Sequence, residues 1–193
     1  MNIGIYIYNQ AEVLDFSGPF EVFSTASRIC NEHPPFRTFL ISKTTETVIA
    51  RGGYQINPDF DFSNHPEIDT LIVSGGIYGD EMHKADVIRW IAQQAETATV
   101  VASVCTGAFL LAQAKVIHNH TVTTHWEDID DLKNLFPNLE VVKDKRWVDD
   151  GRILTSAGIS AGIDMSLHLV GKLHSTALAE KTAKQMDFKR TKN

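Results

Sequence analysis

Short runs rich in β-branched residues alternate with stretches whose apolar positions follow helical spacing, and this alternation leaves few folds open. Residues 3–8, 36–43, 69–74 and 98–104 read as core strands, and 121–124 as another. Between them, Pro19 opens a helix that carries Val22, Phe23, Ala26 and Ile29 in phase, and residues 81–96 set Ile88, Ile91, Ala92 and Ala95 on one face. Residues 106–115 and 127–136 read as further helices, the latter with Ile129, Leu132 and Phe136 inward. A long helix starts near Ser160 with Ile163, Leu167 and Val170 in phase, and 176–188 is helical. Short strands at 47–49 and 54–56 flank Gly52-Gly53. Asp149-Asp-Gly151 marks a hairpin, and residues 189–193 read as a polar, frayed end. Strand followed by helix, repeated, predicts an α/β fold: a doubly wound, mostly parallel sheet in a flavodoxin-like three-layer sandwich, as one domain over residues 1–193. In such sheets ligands bind at the carboxyl ends of the strands.

The net charge of −6 and the lack of a basic stripe argue against a nucleic-acid partner. The apolar runs fall well short of the roughly 18 residues a membrane helix needs, so no membrane partner is expected. The first eight residues read as a strand and not as a leader. Only Cys30 and Cys105 occur, which fits a reducing cytoplasm and no structural disulfide.

Cys105 stands where a β-branched run ends and a helical run begins, in Ala102-Ser-Val-Cys-Thr-Gly-Ala108. A side chain on so sharp a turn is held clear of the sheet and faces a helix N-terminus, whose free amides and dipole favour a thiolate. This is the thiol counterpart of a nucleophile elbow; the alternative is an inert buried cysteine.

Three other segments are expected at the same sheet edge. Asp15, in Leu14-Asp-Phe-Ser-Gly-Pro-Phe-Glu21, follows the first strand; it can bond the thiol or hold a water, or simply cap the Pro19 helix. Glu21 is the second-ranked carboxyl, deeper in the helix. Gly75 and Gly76 end a strand, where their amides, with that of Thr106, suit an oxyanion hole. The Thr106 hydroxyl either orients water or substrate, or satisfies a helix-start amide. His125, in Thr123-Thr-His-Trp126, either polarises the thiol or is structural beside Trp126.

The eight histidines form no metal pattern: His118-x-His120 has no carboxylate or cysteine companion at ligand spacing. No phosphate-cradling Gly-x-x-x-x-Gly-Lys occurs, and Gly158-Ile-Ser-Ala-Gly162 lacks the wider dinucleotide pattern, so its glycines read as helix–sheet packing. No metal or organic cofactor is expected, because a thiolate supplies its own nucleophile.

The cysteine elbow, Thr123-Thr-His-Trp126 and Thr155-Ser-Ala-Gly-Ile-Ser-Ala-Gly-Ile-Asp164 together resemble the ThiJ/PfpI superfamily of class I glutamine-amidotransferase-like folds, over nearly the whole chain. Asp15 in Leu-Asp-x-x-Gly-Pro and the Cys105-Thr106 pair are most similar to the isonitrile hydratase branch. The resemblance implies hydration of a small electrophilic substrate, an isonitrile going to an N-substituted formamide. Cys105 would be the nucleophile, Asp15 the proton carrier and Thr106 the residue that orients water. It also implies a homodimer. Peptidase relatives carry histidine where Thr106 stands, and amidotransferases need a late His-Glu pair that His168 and His174 do not match. A glyoxalase-type enzyme and a redox or ligand sensor, like the sensor halves of AraC-type regulators, are the alternatives. The 22 residues after Gly171 are too few for the helix-turn-helix of such regulators, so direct DNA binding is not expected.

Overall fold

The computed structural model describes residues 1–31 and 33–191. In chain order they form β1 (Asn2–Tyr6), α1 (Val13–Ile29), β2 (Arg37–Ile41), β3 (Val48–Ile49), β4 (Gln55–Ile56), β5 (Thr70–Val73), α2 (Gly79–Met82) and α3 (Ala85–Thr97). There follow β6 (Val100–Val104), α4 (Gly107–Gln113), β7 (Thr121–Val122), α5 (Ile129–Leu135), β8 (Glu140–Val141), β9 (Trp147–Asp150), β10 (Ile153–Ser156), α6 (Ala161–Leu173) and α7 (Thr176–Gln185).

The main sheet has the order β2-β1-β5-β6-β10-β9, parallel throughout except for β9, which joins β10 as an antiparallel edge. Every residue of β5, β6 and β10 is buried, as expected of strands covered on both faces. One layer packs α1 against α6 and α7; the other packs α2, α3 and α4 together. From β1 the chain crosses to β2 on one side, while β5 and β6 extend the sheet on the other. The strand order therefore reverses between β1 and β5, the place where sheets of this kind bind ligands.

Several expected boundaries move. The first helix starts at Val13, and Pro19 lies inside it as its seventh residue. A proline ring there gives up the bond its amide would make to the Asp15 carbonyl, a loss that the packing of α1 against α6 and α7 offsets. The expected helix 81–96 is broken after Met82 and resumes at Ala85. The stretch 127–136 begins as a 3₁₀ turn, Trp126–Asp128, before α5. The strand expected at 121–124 is the two-residue β7, which pairs with β8 in a separate small sheet. At the C-terminus, the Thr191 amide donates to Asp164 Oδ1 at 2.8 Å, so the tail is pinned to α6 and not frayed up to that residue; residues 192 and 193 lie outside those described.

Candidate active site

Cys105 follows β6 with φ +55°, a left-handed conformation that costs a non-glycine residue about 1–2 kcal/mol. The strain is held from three sides. The Cys105 amide donates to Ser156 O on β10 (3.0 Å), Thr124 Oγ1 donates to Cys105 O (2.9 Å), and Gly158 lies against the side chain. Residue 158 has φ +92°, and a Cβ there would come within 2.8 Å of Cys105 Sγ and 2.9 Å of its Cα. Gly158 is thus part of the wall that aims the thiol, a role beyond the helix–sheet packing expected of it. If Cys105 is the nucleophile of a reaction, Gly158→Ala is expected to slow that reaction about 100-fold by displacing the sulfur by roughly an ångström. Steady-state rates beside a thermal melt will separate this from unfolding.

Asp15 sits in the first turn of α1, not at a strand end, and is fully buried. Its Oδ2 accepts from the Gly75 amide at 3.2 Å, while Oδ1 has no hydrogen-bond partner among the described residues. Gly75 is glycine of necessity: a Cβ would stand 2.8 Å from Asp15 Oδ2 and 2.8 Å from Cys105 Cβ. Burial, helped by Glu12, pushes the Asp15 carboxyl up to about 7, against the pull of the Gly75 amide and of Cys105. The thiol in turn is pushed well above the usual cysteine range by burial, by Asp15 and by the more distant Asp128, and only the Thr106 amide opposes this appreciably. The expected free thiolate is therefore not the resting form. Helix α4 has only seven residues, and its N-terminal field is outweighed by desolvation and a neighbouring acid. Near pH 7 the pair holds between one and two protons, shared between a carboxyl and a thiol.

The glycine amides are not free donors. Gly75 donates to Asp15, and the Gly76 amide donates to Thr106 Oγ1 at 2.9 Å. Thr106 Oγ1 donates back to Gly76 O, also at 2.9 Å. The Thr106 hydroxyl thus locks the turn after β5 to the elbow; it neither caps its own helix nor has a proton left for a water. Among the three expected oxyanion donors, only the Thr106 amide reaches the sulfur.

A cavity of about 750 Å³ opens onto Cys105 and Thr106. His125 lines it but engages acids: its Nδ1 is 3.5 Å from Asp128 Oδ2 and 3.7 Å from Glu127 Oε2. Sequence reasoning missed both partners, although they stand two and three residues on. Glu21 is absent from the cavity lining and accepts from Thr25 Oγ1 on its own helix. Ile77, Trp126, Leu135 and Ile159 rim the mouth and are 55%, 74%, 54% and 38% exposed. Cys30 ends α1, and both cysteines are free. Among the described residues no cluster of metal-ligating side chains occurs, and no helix is long and apolar enough to cross a membrane.

Residues 1–172 match the DJ-1/PfpI family. The chain belongs to the DJ-1/PfpI family. It is 32% identical over 190 residues to an isonitrile hydratase of Pseudomonas putida, covering 97% of this chain and 78% of that one. It is also 26% identical over 192 residues to the HTH-type transcriptional regulator GbdR of Pseudomonas aeruginosa, with all of this chain matching 52% of the regulator. The fold is shared with a ThiJ/PfpI family protein from Pseudomonas syringae, at a TM-score of 0.87 and 24% identity over 99% of this chain and 76% of that one. This DJ-1/PfpI chain thus resembles both an enzyme and part of a regulator.

Proposed function

We propose that this chain is a cysteine-dependent isonitrile hydratase, converting an isonitrile and water into an N-substituted formamide. The observation that carries the reading is the buried Cys105 thiol beside a carboxyl held near neutrality. An isonitrile needs a nucleophile and a proton delivered to one and the same carbon, and this pair holds both. Asp15 takes the thiol proton as Sγ attacks the terminal carbon, then returns it to that carbon, giving the thioimidate Cys–S–CH=N–R. Water next adds to the carbon, one of its protons passing through Asp15 to the nitrogen; the C–S bond then breaks, the sulfur takes the proton of the new hydroxyl, and the formamide leaves as the thiol is restored. The thiol supplies the nucleophile, so no cofactor enters the scheme. Formamide production from simple alkyl and aryl isonitriles tests it.

The cavity also suggests a substituent. Its rim is apolar, and its walls carry Glu12, Glu127 and Asp128 against Arg51 and His125. Neutral apolar isonitriles are expected to outperform carboxylate-bearing ones of equal size by about tenfold in kcat/KM, a gap that narrows in Glu127→Gln and at high salt.

The likeness to GbdR favours a second reading, ligand sensing without turnover, in which a small molecule binds this cavity and leaves unchanged. Calorimetric binding without product would favour it. The proposed setting is the cytoplasm and the proposed state a homodimer, which sedimentation velocity reads directly.

A further inference from the structure

The water of the proposed hydration needs a holder, and the Thr106 hydroxyl is closed onto Gly76 in both directions. Two other polar atoms are open. Tyr8 Oη and Asp15 Oδ1 are both buried without a hydrogen-bond partner among the described residues, their side chains being 2% and 0% exposed. Such atoms are rare in folded proteins, and where two share one polar site a bound water is the usual resolution.

The topology draws both residues to the end of β5. The Ala11 amide donates to Tyr8 O (3.0 Å), the Glu12 amide to Gly75 O (2.9 Å), and the Gly75 amide to Asp15 Oδ2. They come from opposite faces of the sheet. Tyr6 packs on Trp90 of α3 (ring centroids 5.5 Å) and donates its hydroxyl proton to Glu81 of α2; two residues on, Tyr8 shares its face and stacks on it at 5.8 Å. Asp15 descends from α1 on the other side. Burial above all, then the titratable groups Glu81, Asp15, Cys105 and Tyr78 that face it, keeps the proton on the Tyr8 hydroxyl, so it is a donor. A separate cavity of about 330 Å³ is lined in part by Tyr6, Tyr8, Glu81 and Lys84.

We propose that Tyr8 Oη and Asp15 Oδ1 jointly hold one buried water beside Cys105, making Tyr8 a positioning residue for the water and proton of the reaction. This rests on the hydratase reading, but its test does not use an isonitrile. The water donates to Asp15 and accepts from Tyr8, which favours the charged carboxylate. The other groups facing the pair are Glu12 just before α1, the Gly75 and Thr106 amides, and Asp128 across the cavity. Tyr8→Phe keeps the ring and removes the hydroxyl.

The experiment is iodoacetamide alkylation of Cys105 from pH 5 to 10, read by mass spectrometry of its peptide with Cys30 as internal reference. In the wild-type protein the rate rises as Asp15 ionises near pH 7, because only the carboxylate can accept the thiol proton as the sulfur is alkylated. In Tyr8→Phe the midpoint is expected about half a pH unit higher, roughly a threefold change in the acid constant. Superimposable profiles from two equally folded proteins would overturn the proposal. So would a high-resolution crystal structure of the wild-type chain with no water within hydrogen-bond reach of both atoms. If the profile shifts but no isonitrile is hydrated, the water site stands and the hydratase reading falls.

Discussion

Replacing Cys105 by alanine is expected to cut formamide production at least about 10⁴-fold, because no other side chain at the cavity can form the covalent intermediate. The fold is expected to persist. Cys105 lies at φ +55°, so its conformation is imposed by the bonds to Ser156 and Thr124 and by Gly158, none of which needs the sulfur. Cys105→Gly should be equally inactive but about 1 kcal/mol more stable than Cys105→Ala, since glycine enters the left-handed region without a Cβ penalty. Chemical denaturation of the two variants measures that difference. Equal stabilities would mean that the elbow relaxes when the sulfur is lost.

Asp15→Asn has the second large effect, and it acts in opposite directions on rate and stability. Loss of the proton carrier is expected to reduce turnover about 10²–10⁴-fold. Stability should move the other way at alkaline pH. The folded-state value of about 7 lies above the ordinary 3.8, so the native state binds this proton more tightly than the unfolded chain does. The wild-type protein therefore loses stability as pH rises from about 4 to about 7, by a total on the order of 4 kcal/mol, and changes no further from this group above that. Asparagine can still accept from the Gly75 amide and carries no charge. Its advantage over wild type should thus be small at pH 4 and approach the full amount by pH 8. Urea melts of both proteins across this range check the sign as well as the size. A wild-type protein that gains stability between pH 4 and 7, relative to the variant, would mean that Asp15 is ionised comfortably and is not poised for proton transfer.

What could be read from the chain follows the range of the interactions involved. The elbow was legible because β-branched Val100–Val104, the cysteine and Gly107 are contiguous, and local sterics alone demand a strand, a tight turn and a helix. Asp15 was legible as a residue but misplaced. Pro19 looks like a helix start, whereas the helix begins six residues earlier and tolerates the proline because tertiary packing outweighs one lost bond. The donors were misread for a different reason: the bonds of Gly75 to Asp15 and of Gly76 to Thr106 span 60 and 30 residues, and nothing local signals them. Gly158 carried a usable signal, since it stands two residues past β10 beside the strand that ends at the cysteine. Tyr8 carried none, because in a buried strand a tyrosine looks like any other core aromatic.

The most direct test of the central claim is to incubate purified protein with cyclohexyl isonitrile in ¹⁸O-labelled water and follow product and protein by mass spectrometry. The account predicts N-cyclohexylformamide carrying the label, and a transient adduct on the Cys105 peptide with the mass of one intact isonitrile. Well-folded protein that yields no formamide above the Cys105→Ala background, across alkyl and aryl isonitriles, would contradict it.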